Sequence, residues 1–220
     1  MLDANGFPTV AATEGVVGDP NPNWRGGFGT NLSAKGLTLN VLFEACQGND
    51  MWAGTLGVLN YFGTSAESGN TLNLTADQAA SLKNVYGDAV ADVVAANADG
   101  SYTVRGNIKN FGGGDVWLDQ NWYTGIGGGF GPVGEQFMKD ASWVRLRELS
   151  LGYQLPEGLC RALHVPGASL NFSGRNLLLW TNFDGLDPET NLTGVTNGRG
   201  LDYFNNPGTK SYVFTLNIKL

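Results

Sequence analysis

With 220 residues, a net charge of −7 and only 15% charged side chains, the chain lacks the basic footprint that nucleic-acid binding requires. Its 33 glycines, about twice the usual share, fit a β-rich, loop-rich protein. No run of eighteen apolar residues occurs, so no transmembrane helix is encoded; strands that cross a bilayer hide their apolar residues at alternate positions and escape that test.

Met1-Leu2-Asp3 leads into Gly, Pro and Thr without the basic start and apolar core of a signal peptide. The first predicted strand runs over 24–34, with Trp24, Phe28 and Leu32 set against Arg25, Asn31 and Ser33. Lys35-Gly36 makes a tight turn into a second strand over 37–46. There Leu37, Leu39, Val41, Phe43 and Ala45 oppose Thr38, Asn40 and Glu44, so the two strands form a hairpin. A long connection over 47–141 follows. Within it, Thr75-Ala-Asp-Gln78 reads as a capping box opening a helix to about Ala96, with a break expected at Gly87. Asp99-Gly100 then turns into an extended Tyr102–Val104. Glycine runs at 112–114 and 127–129 flank the aromatic residues Trp117, Trp122 and Tyr123.

The third strand covers 142–155. Val144 and Leu146 share one parity and Leu149, Leu151 and Tyr153 the other, so a bulge is expected near Arg147-Glu148. That bulge lets Arg145, Arg147, Ser150 and Gln154 face one polar interior. The fourth strand, 168–181, sets Leu170, Phe172, Leu178 and Trp180 against Asn171, Ser173 and Arg175. The last, 211–220, alternates without a fault: Tyr212, Phe214, Leu216, Ile218 and Leu220 on one face, Val213, Thr215, Asn217 and Lys219 on the other.

These strands carry bulky apolar groups on one side and polar groups on the other, the pattern of an outer-membrane β-barrel with its apolar face to lipid. Leu170 to Trp180 covers ~33 Å, enough when tilted to span the apolar band of a barrel. Trp180 and Tyr153 are then expected at opposite interfaces. Turns near 35–36 and 156–167 are short, whereas 47–141 and 182–210 are long, matching periplasmic turns and extracellular loops. Five strands cannot close a barrel, and open edges are not tolerated in lipid, so further strands and an export signal are expected outside this chain. Cys46 and Cys160 are expected to stay unpaired.

Several segments resemble the SusC/RagA type of TonB-linked outer-membrane proteins. Gly18-Asp-Pro-Asn-Pro-Asn-Trp24 resembles "GDPNPDW", and Gly48-Asn-Asp-Met-Trp-Ala-Gly-Thr55 resembles "GND-x-x-x-GT". The run from Ala141 to Pro156 is similar to "ASFVRLRELSLGYTLP". Ser173-Gly-Arg-Asn-Leu177 matches "SGRNL", and Gly185-Leu-Asp-Pro-Glu189 matches "GYDPE". The resemblance implies an all-β fold: the C-terminal five strands of a large antiparallel transmembrane β-barrel, with long extracellular loops, one carrying a helix. It further implies uptake of oligosaccharides or peptides across the outer membrane, with a SusD-like surface lipoprotein as partner and energy from the TonB complex. The plug, the TonB-contacting segment and most strands of such a transporter have no counterpart in this chain, so the segment alone is expected not to transport. Leu220 also stands where barrels often end in an aromatic residue.

Candidate sites follow from the residues. Trp117, Trp122 and Tyr123 offer rings for a ligand or for the lipoprotein, or form loop core. Arg145, Arg147, Glu148, Arg175 and Lys219 are expected to line the lumen, where contact with each other or with a plug outweighs substrate binding. Gly129-Phe-Gly-Pro-Val-Gly134 has the spacing of a dinucleotide fingerprint, but Pro132 and the surrounding glycines make it an irregular loop. Asp184, Asp187, Glu189 and Asp202 do not have the spacing of an EF-hand, and a turn with self-bonding Asp side chains is expected there. Cys160 and His164, the only His, have no second ligand pair for zinc. That scarcity also argues against Ser-His-Asp or Cys-His chemistry, so neither enzyme activity, cofactor nor metal is expected. The competing reading is a soluble extracellular β-domain that binds carbohydrate, whose apolar strand faces would pack in a core.

Overall fold

The computed structural model describes residues 1–194 and 198–219. The end of the last predicted strand at Leu220 and part of the 182–210 loop therefore lie outside the described residues. The strands are β1 (Trp24–Ala34), β2 (Leu37–Gln47), β3 (Asp50–Ala53), β4 (Thr71–Leu74), β5 (Tyr102–Arg105), β6 (Asn107–Asn110), β7 (Asp115–Leu118), β8 (Met138–Asp140), β9 (Trp143–Gln154), β10 (Gly167–Thr181), β11 (Leu201–Asp202) and β12 (Ser211–Lys219). The α-helices are short: α1 (Gly54–Tyr61), α2 (Ala76–Ser81), α3 (Val90–Val93), α4 (Gln120–Thr124) and α5 (Glu157–Ala162). None is long and apolar enough to cross a membrane.

Two compact units emerge. A sheet unit comprises Asp19–Met51, Asp140–Gly200 and Asn205–Leu220; a loop unit comprises Met1–Gly18, Trp52–Lys139 and Leu201–Phe204. The sheet unit is built on one antiparallel sheet of five strands in the order β1-β2-β9-β10-β12. Lys35 and Gly36 both take positive φ, at 48° and 83°, as a two-residue hairpin turn of matching twist demands. A side chain at position 36 would also sit 3.0 Å from the Gln154 carbonyl oxygen.

Register carries the pattern across the whole sheet. Leu32 lies opposite Leu39, Leu39 opposite Leu151, Leu151 opposite Phe172, and Phe172 opposite Phe214. The row one residue away is polar: Ser33, Thr38, Gly152, Asn171 and Thr215. Because successive side chains alternate, a single slip would invert every strand. Arg147 is the extra residue that keeps this from happening. Leu42 pairs with Glu148 and Phe43 with Leu146, so Arg147 bulges between them, while Asn176 and Leu177 bulge opposite on β10. Asn176 takes φ +53° and accepts a hydrogen bond from Arg147 Nη1 at 2.7 Å.

The apolar face is uncovered. Phe214 is 81% exposed, whereas Arg145 on the opposite face is 3% exposed. A water-soluble sandwich buries the apolar side of its sheets. Here the apolar side stays uncovered, and the polar side is covered only around Arg145. Tyr153 and Trp180 stand at opposite ends of the same apolar face, paired with Leu170 and Val144. The 35–36 turn and the connection containing α5 lie at one end of the sheet, and the long connections leave from the other.

In the loop unit, two groups of apolar residues point inward. Leu74, Ala79, Leu82, Val90, Val104 and Trp117 form one cluster; Phe7, Val116, Leu118, Trp122 and Tyr123 form another. The antiparallel pair β4–β5 and the hairpin β6–β7 frame them. The capping box forms: Gln78 N donates to Thr75 Oγ1, and Thr75 N donates to Gln78 Oε1. The helix expected to reach Ala96 does not. It ends at Ser81 and resumes only for Val90–Val93. Between them Asn84 Oδ1 accepts hydrogen bonds from the Tyr86 and Asp88 amides, both 3.0 Å, and Gly87 takes φ +89°. A short polar side chain that binds the backbone competes with the helix ladder, and here it wins.

Candidate functional site

The polar face of the sheet unit gathers its charges at one place. Arg145 and Arg147 stand two residues apart on β9 and therefore share a face; the bulge at Arg147 adds Glu148 to it. Arg145 Nη2 donates to Asp187 Oδ1 at 2.7 Å, and its Nε lies 2.7 Å from Glu189 Oε2, an ion-pair distance without hydrogen-bond alignment. Arg147 donates from Nη2 to Glu44 Oε2 and to Glu189 Oε1, each at 2.6 Å. Arg25 approaches Glu189 at 3.5 Å and Glu44 at 4.0 Å. All three guanidiniums lie within 6 Å of the ring of Trp143, at 5.6, 5.9 and 5.6 Å.

Three cations meet three carboxylates, so the cluster is neutral as a whole. Its Arg145–Asp187 pair is buried, and removing one partner would strand the other. Asp187 is the pivot. Its Oδ1 also accepts from the Glu189 amide at 3.0 Å and its Oδ2 from the Gly208 amide at 3.0 Å. The self-bonding turn expected over Asp184–Glu189 is thus tied to the sheet by a buried arginine. The chemistry of this site is positional. It holds the 187–190 turn against the polar face and offers no nucleophile beside a base.

The other charged residues expected on that face are present but not buried. Arg175 pairs with Glu148 at 3.6 Å, and Lys219 opposes Gly167 at the far end. Sequence reasoning named Arg145 and Arg147 but missed their partners as a set. Glu44 and Glu189 are 145 positions apart in the chain yet share Arg147. Glu44 was visible as the one acid on the polar face of its strand.

The three aromatic candidates of the loop unit are buried: Trp117 at 7%, Trp122 at 4% and Tyr123 at 5% exposure. Their rings lie in the loop core, the alternative to a ligand or lipoprotein surface. Trp117 Nε1 donates to the Arg105 carbonyl at 3.0 Å, and Trp122 packs against Phe7 and Phe111. Tyr123 accepts a hydrogen bond from Asn107 Nδ2 at 2.6 Å. Burial pushes its phenol above the ordinary value; the Asn107 bond opposes this and Glu67 adds to it.

Among the described residues no three His, Cys, Asp or Glu side chains converge as metal ligands. Asp202 accepts from the Thr55 hydroxyl at 3.0 Å. Cys46 and Cys160 are buried free thiols. The 129–134 segment is irregular, not a strand-to-helix phosphate loop.

No protein-family model matches the chain. Two curated relatives from Formosa agariphila do. TonB-dependent receptor P3 is 29% identical over 231 residues, covering 99% of this chain and 18% of the relative. TonB-dependent receptor P26 is 26% identical over 205 residues, covering 90% and 16%. The chain therefore spans less than a fifth of the relatives' length. Among solved structures, the RagAB peptide importer in its closed-closed state aligns over 99% of this chain and 20% of that one, with a TM-score of 0.54 at 22% identity. Its open-open state aligns over 91% and 17%, with a TM-score of 0.51 at 24% identity. The five-stranded sheet has the fold of part of such a barrel.

Proposed function

We propose that this chain, a part of a SusC/RagA-like TonB-dependent receptor, supplies barrel wall and outer loops to an outer-membrane importer of oligosaccharides or peptides. One observation carries the reading. A single sheet leaves a face made mostly of apolar side chains uncovered and buries the Arg145–Asp187 pair on the other side. Lipid is the solvent that such a face fits, since water would leave rows of Leu and Phe exposed. The strands of 9 to 15 residues are long enough to span the apolar band when tilted.

In this reading the polar face lines the lumen, the 35–36 and 156–167 connections are periplasmic, and the 47–141 and 182–210 loops are extracellular. Arg145, Arg147, Glu148, Arg175 and Lys219 then belong to the lumen wall. A SusD-like lipoprotein is the expected lid over the mouth, and TonB supplies the energy through parts of the receptor outside this chain.

Membrane fractionation of the native host tests it, using an antibody raised against the 97–101 turn. The protein should partition with the outer membrane, resist extraction by alkaline carbonate and run with heat-modifiable mobility. Deleting its gene should remove growth on one oligosaccharide or peptide source, and loss of TonB should reproduce that defect. Recovery in the soluble fraction in plain buffer would overturn the barrel reading and restore the soluble β-domain.

A further inference from the structure

The chain that follows β10 does not leave the polar face of the sheet. Thr181, Trp143, Cys46 and Arg25 stand opposite one another on β10, β9, β2 and β1, a single row across four strands. Neighbouring strands lie ~4.8 Å apart, so the row measures about 14 Å. The loop runs along it. Thr181 Oγ1 donates to the Ser142 carbonyl at 2.7 Å and accepts from the Phe183 amide at 3.1 Å, which ties the start of the loop to the strand beside it. Pro188, Glu189, Thr190 and Asn191 then face Trp143 and Arg25 across a cavity of about 390 Å³. Gly200 comes back against Pro20, just ahead of β1, where an added Cβ would lie 2.7 Å from the Pro20 Cβ.

The fastening is double. Within the turn, the Asp187 carbonyl accepts from the Thr190 amide at 3.1 Å and from its hydroxyl at 2.9 Å. Towards the sheet, the Asp187 carboxylate takes Arg145, and Glu189 reaches Arg145, Arg147 and Arg25. The returning chain is held on the same face, since Asn176 Nδ2 at the β10 bulge donates to the Thr209 carbonyl at 3.1 Å. Lifting the segment would break all of these bonds together.

A layer of chain stacked on a sheet stands roughly 10 Å away from it. On the inner side of a barrel, that thickness is taken from the bore. We infer that residues 183–192 form a fixed constriction of the lumen, an outer loop folded inward that limits the size of solute able to pass. The inference rests on the import reading, which makes the polar face the lumen, and adds to it a size filter held by Arg145, Asp187 and Glu189.

Polymer exclusion in planar bilayers tests it. The full receptor is used at the lowest urea concentration that releases its plug and gives a steady current, and graded poly(ethylene glycol)s report the largest size that enters. A variant carrying Arg145→Leu, Asp187→Leu and Glu189→Gln removes the buried pair as a unit and strands neither charge; heat-modifiable mobility checks that its barrel forms. Its cutoff should move to larger polymers, a readout of size and not of charge. Leu186→Trp with Leu192→Trp should move the cutoff to smaller polymers, and because both side chains are exposed this pair keeps its fold. Should the triple variant not form a barrel, the tryptophan pair decides alone. Either variant leaving the cutoff in place would overturn the constriction and leave import standing. Wild-type current that switches between two levels would make the segment a moving gate and overturn its fixity. A receptor that conducts under no condition would overturn the lumen and the constriction together.

Discussion

The sheet unit and the loop unit use the same residue types in opposite senses. In the loop unit Leu74 is 3% exposed and Val90 fully buried, and buried polar side chains such as Asn84 and Asp119 are hydrogen-bonded to neighbouring backbone amides. In the sheet unit Leu216 is 58% exposed and Phe214 81%, while Arg145 and Asp187 are buried. The loop unit is organised as a protein in water. The sheet unit is organised for a solvent that accepts hydrocarbon on one side, where side chains alone cannot form a core and the backbone ladder must satisfy itself. The contrast shows that hydrophobicity must be read by face and not by total, since composition alone cannot separate the two units.

The largest test of this contrast is Arg145→Ala. Stranding the buried Asp187 carboxylate should cost about 3–5 kcal/mol. Thermal unfolding should fall accordingly, and protease should gain access to the 187–190 turn first. Next comes the apolar face itself. Leu151→Arg, in the middle of the five-strand row, should cost about 2–4 kcal/mol if that face meets lipid. Ser150→Arg, one residue away on the polar face, should be tolerated. Heat-modifiable assembly in the outer membrane reads both, and equal tolerance would break the comparison.

A smaller effect belongs to the loop unit. Thr75→Ala removes one half of the capping box and should cost about 1 kcal/mol, seen as faster amide exchange over Ala76–Ser81 with no change in the sheet. The smallest is a response to alkali. The Tyr123 phenol ionises above its ordinary 10.0 because burial disfavours the phenolate. Its contribution to stability is full below about pH 10 and is lost as pH rises through the raised folded value. Exchange in the loop unit should therefore quicken in that range before the sheet responds, and Tyr123→Phe should remove the effect.

Much of the sheet was legible because strand alternation is local. The parity switch between Leu146 and Leu149 pointed to a bulge, and Arg147 occupies one. The turn at Lys35-Gly36 was legible from the residue types that tolerate positive φ. The capping box at Thr75 was legible for the same reason: four adjacent residues hold all its chemistry. The helix beyond it was not. Its apolar spacing continued past Asn84, but a side-chain bond to the Tyr86 and Asp88 amides ended the ladder, and periodicity does not register that competition. Strands of four residues such as β4, β6 and β7 were missed because so short a run has no measurable period.

The sequence by itself determined which residues alternate, where the hairpin turns, and which family the segments resemble, since each depends on neighbours in the chain. Only the tertiary structure decided that the apolar rows align across five strands, that Glu44 and Glu189 meet at Arg147, and that Trp117 and Trp122 are core. Those facts depend on register and on contacts between residues as distant in the chain as Arg25 and Glu189. Local propensity carries no information about such contacts, because they form only when the ladder brings distant strands side by side.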